Sequence, residues 1–229
     1  PYEGELFAFW MDFFGNWSGY DDPEEREKIW EVKRAKLKAI DYHTKSSGPI
    51  TVQQGYWFSA HEQWKFMYLP YYSIPIAKQV QENCERARSW NSAEKNIPGM
   101  YASVTDPNGD YVSAVGIQEI ASQSVTRADV VTPYGAFPVI LVDKSIGLTW
   151  LLAALKGNAM QGPYGSTESH NVSGTTICPL TTWDSKVTSV VAALGGVAEL
   201  NGEVMRSKGV WDRFQICLIY TSQSPRDNS

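Results

Sequence analysis

The chain has 229 residues, 43% hydrophobic and 13% aromatic, with 20 basic against 25 acidic side chains and a formal net charge of -5. That is ample material for a buried core, which excludes disorder, a collagen-like repeat and a disulfide-dense scaffold. The charges are interspersed with no basic stripe, and no run reaches the roughly 18 apolar residues of a membrane helix, so neither a nucleic-acid nor a membrane partner is expected.

In chain order, Tyr2-Glu3-Gly4-Glu5 comes first and runs into the apolar stretch Leu6 to Trp10. Carboxylates two residues apart lie about 200° apart on a helix, so only one of Glu3 and Glu5 can face a pocket. The ordinary reading of such a pair is a solvated first turn, favoured by the helix dipole. A helix then opens at Asp21-Asp22-Pro23-Glu24-Glu25, with an aspartate cap, proline in the first turn and early acids, and carries Lys33, Arg34, Lys36 and Lys38 toward its end. Ile29, Trp30, Leu37 and Ile40 are expected to form its apolar face.

Residues 53–64, Gln53-Gln54-Gly55-Tyr56-Trp57-Phe58-Ser59-Ala60-His61-Glu62-Gln63-Trp64, concentrate amides, a histidine, a carboxylate and aromatics. Aromatic faces stack on the apolar faces of sugar rings, while amides, histidine and carboxylates bond hydroxyls. The alternative is that the rings are core and the polar groups cap the next helix. Ile76, Val80, Cys84 and Ala87 predict a second helix ending near Asn91, with Lys78, Gln81, Glu82 and Glu85 on its wet side. Met100 to Val115 leans to β-structure, and Asp106-Pro107-Asn108-Gly109-Asp110 reads as a hairpin turn.

Leu148, Leu151, Leu152 and Leu155 make a third helical stripe, stopping at Lys156-Gly157. Gly162-Pro163-Tyr164-Gly165 is a turn, followed by Thr167-Glu168-Ser169-His170-Asn171. Val187, Val190, Val191 and Leu194 make a fourth stripe, stopping at Gly195-Gly196, with Asp184 as either its cap or a chemically active acid. No internal repeat or linker interrupts the chain, so residues 1–229 read as a single, helix-dominated domain with long aromatic loops, and such loops over a helical scaffold commonly build a ligand site.

Cys84, Cys178 and Cys217 are sparse enough for structural roles, as one bridge plus a thiol or as three buried thiols. Neither they nor His43, His61 and His170 show metal-ligand spacing, and no phosphate-cradling loop or nucleophile elbow occurs, so no metal or organic cofactor is expected and carboxylate hydrolysis is the chemistry left standing. Asn16-Trp17-Ser18 and Asn171-Val172-Ser173 fit the glycosylation pattern, which leans toward a secreted or periplasmic glycoprotein. The chain begins at Pro1, so any secretory signal is expected to lie outside it.

Taken in order, Tyr2-Glu3-Gly4-Glu5, Gln53-Gln54-Gly55 with Phe58 to Trp64, Gly99-Met100-Tyr101-Ala102-Ser103, Val131-Thr132-Pro133-Tyr134-Gly135-Ala136, Gly162-Pro163-Tyr164-Gly165 and Trp183-Asp184 resemble the glucoamylase-like domain of endo-β-1,2-glucanases, glycoside hydrolase families 144 and 162. The resemblance runs from Tyr2 to about Gly196. It implies an all-α-dominated (α/α)6 toroid with a cleft for β-1,2-glucan, and endo-acting, inverting hydrolysis to sophoro-oligosaccharides. By the same resemblance Glu3 is the general acid, acting in fungal members through a substrate hydroxyl, and Asp184 the general base. Tyr2, Gln54, Trp57, His61, Glu62, Gln63 and Tyr164 are implied to line the subsites.

The chain departs from the bacterial pattern after the Tyr-Gly turn, where Thr167 to Asn171 replaces Asp-Ala-Phe-Asn, and after Asp184, where Ser185-Lys186-Val187 replaces Gln-Gly-Pro. Glu168 is therefore the reserve candidate for the base. At about 30 residues per helix and loop, the chain supplies about half of a toroid's helices, so it reads as the C-terminal part of that domain, with the N-terminal half as an expected partner. The alternatives are a non-catalytic glycan-binding or structural protein on the same scaffold, and a related glycosidase acting on another β-glucan.

Overall fold

The computed structural model describes residues 4–16, 18, 22–157 and 160–222. Among these, helices dominate and the strands are short. Helix α1 (Gly4–Phe14) buries Phe9 and Phe13, one turn apart, while Phe7, Trp10 and Met11 on its other sides are exposed. In α2 (Pro23–Lys36) Asp22 caps the start, its carboxylate accepting the Glu24 N–H at 2.9 Å, and Trp30 is fully buried.

The expected apolar face of α2 needs correction. Leu37 is already extended, and Ile40 lies on strand β1 (Ala39–Tyr42), which pairs antiparallel with β2 (Ile50–Gln53) in the register Ile40↔Val52 and Tyr42↔Ile50. Ile40, Ile50 and Val52 are β-branched, which favours a pleated surface over another helical turn. Gly48 closes the hairpin at φ +105°, where a Cβ would stand 2.8 Å from both the His43 Cβ and the Tyr42 carbonyl oxygen.

A 3-10 turn (Ala60–Gln63) leads into α3 (Trp64–Tyr68), and then comes the long α4 (Pro75–Glu94). Helix α4 ends close to the expected Asn91, and Cys84 and Ala87 are buried as expected. The expected wet side differs in part: Gln81 and Glu85 are buried, together with Arg88 and Ser92. These four recur at the spacing of one helical face, a polar stripe turned inward, where Glu85 and Arg88 pair with each other.

Strand β3 (Met100–Tyr101) precedes the anticipated hairpin, whose strands β4 (Val104–Thr105) and β5 (Tyr111–Val112) flank the turn of residues 106–110. Strand β6 (Val130–Thr132) pairs with β3 on one side and with β9 (His170–Asn171) on the other, making a three-stranded antiparallel sheet. Between them come α5 (Ala136–Val142), α6 (Lys144–Lys156) and the small hairpin β7 (Gln161–Gly162) to β8 (Gly165–Ser166). The chain continues with α7 (Trp183–Ala193), α8 (Ala198–Ser207) and α9 (Trp211–Ser222).

The leucine stripe of α6 faces outward: Leu148, Leu152 and Leu155 are exposed, and Gly147 and Ala154 take the inner side, with Gly147 set against the Ile140 backbone of α5. On α7, likewise, Val190 and the C-capping Leu194 just beyond the helix are exposed while Ser185, Thr188 and Ala192 are buried. Asp12 ties the ends together, its buried carboxylate accepting from Trp30 Nε1 at 2.9 Å, Arg26 Nε at 2.9 Å and Arg213 Nε at 3.1 Å. All three cysteines are buried free thiols, which removes the bridged alternative. Among the described residues no helix is long and apolar enough to cross a membrane.

Candidate active site

Residues 55–63 are wound around one carboxylate. Glu62 Oε1 accepts the backbone N–H of Tyr56 at 2.9 Å and of Phe58 at 3.0 Å, so the chain curls back on itself and Phe58 takes φ +58°. The other oxygen of Glu62 meets Arg88 Nη2 at 3.2 Å, and the guanidinium lies 4.6 Å from the Phe58 ring centroid. Arg88 also pairs with Glu85, whose second oxygen accepts Gln63 Nε2 at 2.6 Å. Gln63 donates as well to the Gly135 carbonyl at 3.0 Å.

Glu62, Glu85 and Arg88 are each at most 5% exposed. Burial pushes both carboxyls above the usual range, against the pull of the guanidinium. Burial would lower Arg88, but the two flanking carboxylates outweigh it and hold its pKa up. Glu62 and Gln63, implied as subsite residues, therefore face inward and shape the loop that carries Trp57 and the exposed Tyr56, whose rings meet edge to face at 4.8 Å. Gln54 is half-buried and donates to the Ala121 carbonyl at 2.9 Å.

His61 points the other way. Its Nε2 lies 3.2 Å from the Tyr134 hydroxyl and its ring is edge-on to Trp64 at 5.5 Å. The Trp64 indole donates to Thr188 Oγ1 on α7 at 3.0 Å. Thr188 is one turn after Asp184, so the exposed Asp184 carboxylate stands at the start of α7 on the side that Trp64 meets. The cap of α7 is Thr182 and not Asp184: the Thr182 hydroxyl oxygen accepts the Ser185 N–H at 3.4 Å, leaving Asp184 in the first turn.

Glu168 is buried, with Oε1 accepting the Thr105 N–H at 3.3 Å and Oε2 accepting the Thr182 hydroxyl. Its carbonyl receives the Thr132 hydroxyl at 2.9 Å, and the same Thr132 oxygen accepts the Tyr134 N–H at 3.3 Å. Lys186 reaches the Ser166 carbonyl, and burial lowers its pKa. Tyr164 projects from the tip of the β7–β8 hairpin, 77% exposed. The structure thus joins His61 to Tyr134 and Trp64, Trp64 to Thr188 on α7, and Glu168 to Thr182 at the start of α7, while Gln54 is tied to Ala121 and the Trp57 loop to Glu62. Tyr2 and Glu3 lie outside the described residues.

Sequence reasoning missed Arg88, Thr132, Tyr134, Thr182 and Thr188 as contributors. Thr132 and Tyr134 lay inside a quoted motif without a role, and Arg88 carried a readable signal as a member of the polar stripe on α4. Among the described residues no group of three or more His, Cys, Asp or Glu side chains is arranged to hold a metal. An open depression of about 630 Å³, between the β1–β2 turn and the end of α4, includes none of the site residues expected from sequence.

The profile of a family described as endo-β-1,2-glucanase SGL, glycoside hydrolase family 162, matches residues 1–223. Two solved structures of the endo-β-1,2-glucanase from Talaromyces funiculosus are similar, one in complex with sophorose and one of a glutamate-to-glutamine mutant with β-1,2-glucan. Each is 44% identical with a TM-score of 0.87 over 97% of this chain, which spans 46% of that chain's length. No curated protein matches the sequence.

Proposed function

The chain belongs to the endo-β-1,2-glucanase SGL family, glycoside hydrolase family 162, and from that premise we propose that it supplies the catalytic part of an endo-acting, inverting β-1,2-glucanase. Glu3 is the general acid and Asp184 the general base. In inverting hydrolysis a protonated carboxyl assists the departing oxygen while an ionised one activates water on the opposite face of the sugar, the two standing about 6.5–9.5 Å apart to admit that water. The observation that carries this reading is the exposed carboxylate of Asp184 at the start of α7, on the side where Trp64 bonds Thr188 beside His61 and Tyr134.

The choice of Asp184 over Glu168 rests on solvation. A base must reach water, and Glu168 is 3% exposed with both oxygens already accepting from Thr105 and Thr182. Tyr2, His61, Trp57 and Tyr164 contact the glucan, with Gln54, Glu62 and Gln63 shaping the loop behind Trp57. The outward apolar residues of α6 and α7 are the flanks of a single (α/α)6 domain, of which this chain is the C-terminal portion. The N-terminal half covers them. A polymeric substrate and the exposed sequon at Asn16 favour a secreted protein, whereas the Asn171 amide is engaged with Thr175 and Thr176.

Reducing-sugar release from linear β-1,2-glucan, with the product anomer followed by NMR, tests the assignment. Glu3→Gln and Asp184→Asn should each lower kcat by at least about 10²–10⁴-fold with the fold retained. Near-normal turnover in either variant would remove that residue from its role, and a first-formed product with retained configuration would refute inversion.

A further inference from the structure

Glu168 is a buried carboxylate that the proposed reaction does not consume, and its surroundings are those of a clamp. It comes from the segment that follows β8, where Ser169 donates to the Thr105 carbonyl and the Glu168 carbonyl receives Thr132. Strands β4 and β6 therefore fix the Glu168 backbone before its side chain does anything. The carboxylate then accepts one hydrogen bond from the Thr105 backbone N–H and one from the Thr182 hydroxyl.

An N-cap threonine uses its oxygen to accept a backbone N–H, and its own proton is ordinarily left to solvent. In α7 that O–H donates to a buried carboxylate, which turns the hydroxyl lone pairs toward the Ser185 N–H. The Ser185 hydroxyl returns a bond to the Thr182 carbonyl at 3.2 Å, and Lys186, one turn after Thr182, is held by the Ser166 carbonyl. Thr182 and Lys186 thus fasten one side of the first turn to residues 166–168. Asp184, two residues from each, points about 200° away from that side, fixed in position yet open to water.

We propose that Glu168 is a positioning residue, which locks the Thr182 cap and so sets the place of Asp184. This rests on the reading of Asp184 as base. The natural change of Glu168 itself risks unfolding the segment, so the decisive variants are at the cap. Thr182→Val removes the hydroxyl with little change of shape, and Thr182→Ser keeps it.

With linear β-1,2-glucan, Thr182→Val should lower kcat by about 10- to 100-fold, the effect of a misplacement on the order of 1 Å, with KM within about twofold. Its Tm should fall by about 4–16 °C, the lost cap and the unpaired Glu168 oxygen acting together in a protein of this size. Thr182→Ser should restore most of kcat. A Thr182→Val enzyme with near-normal kcat beside an inactive Asp184→Asn overturns the positioning role and leaves the base assignment standing. A rise in KM at unchanged kcat also overturns it, because the cap would then serve binding. An Asp184→Asn enzyme that still turns over overturns the base assignment, and the positioning role falls with it.

Discussion

Replacing Arg88 by Met removes the cation shared by Glu62 and Glu85 while keeping most of the side-chain volume. All three groups are buried, so the variant leaves two carboxyls without their counter-charge. Breaking a buried pair from one side costs about 3–5 kcal/mol. The lost stacking on Phe58, at 4.6 Å, adds up to about 2 kcal/mol, which the thioether's apolar packing offsets. A net loss of about 3–5 kcal/mol corresponds to a fall in Tm of about 6–20 °C in a protein of this size.

The loss should depend on pH. Burial raises the folded pKa of Glu62 and of Glu85, and Arg88 opposes that rise. A carboxyl raised on folding binds more protons folded than unfolded, so its contribution is present below the unfolded carboxyl range and disappears as pH climbs through the folded value. Without Arg88 the rise is larger, and the gap between wild type and variant widens with pH. Urea denaturation at pH 4.5 and pH 7.5 measures it. Equal losses at the two pH values, or a loss below about 1 kcal/mol at the higher, would refute the reasoning.

The thiols of Cys84 and Cys217, pushed up to about 11 by burial, and that of Cys178 should ignore Ellman's reagent in the native protein, and three equivalents should react after denaturation. Gly116→Ala would place a methyl group 1.8 Å from the Trp57 carbonyl oxygen, so it should cost about 1–3 kcal/mol in thermal melts and disturb glucan binding. Gly109→Ala, at φ +94° with open space around it, should cost only about 1 kcal/mol of backbone strain and leave binding alone. Asp12→Ala takes the acceptor from the buried Trp30 Nε1 and loosens the half-buried Arg26 and Arg213, and should cost about 1–3 kcal/mol, read by urea titration; no measurable cost would mean that water replaces the carboxylate.

The helices that announce themselves by local chemistry were legible: Asp22-Pro23 starts α2, and the glycine pair Gly195-Gly196, both at positive φ, stops α7. So was the hairpin at residues 106–110, where the turn residues are contiguous. The direction of each helical face was harder to read, because an apolar stripe marks a face that wants cover without saying which neighbour supplies it. The stripe of α6 looks outward, and the polar stripe of α4 looks inward because Arg88 neutralises what Glu62 and Glu85 bring. Of the sheet β3–β6–β9 only β3 falls in the stretch that leaned to β-structure; β6 and β9, three and two residues long with no contiguous turn between them, carry too little alternation to be seen. The motifs around Glu62, Tyr134 and Asp184 were visible as motifs, but the division of labour among their residues depends on contacts made across most of the chain.

Those contacts are distant along the polypeptide. Trp64 finds Thr188 across 124 positions and Asp12 finds Arg213 across 201. During synthesis α1 leaves the ribosome long before α9 exists, so Phe9 and Phe13, met early by Trp30, must wait for Phe214 to complete their cover. The local β1–β2 hairpin and α4 can form early, while the arrangement around α7 must close large loops first. Closure of this part of the fold therefore waits for α9, and a translational pause between α1 and α9 would prolong the interval in which the aromatic surface of α1 calls for a chaperone.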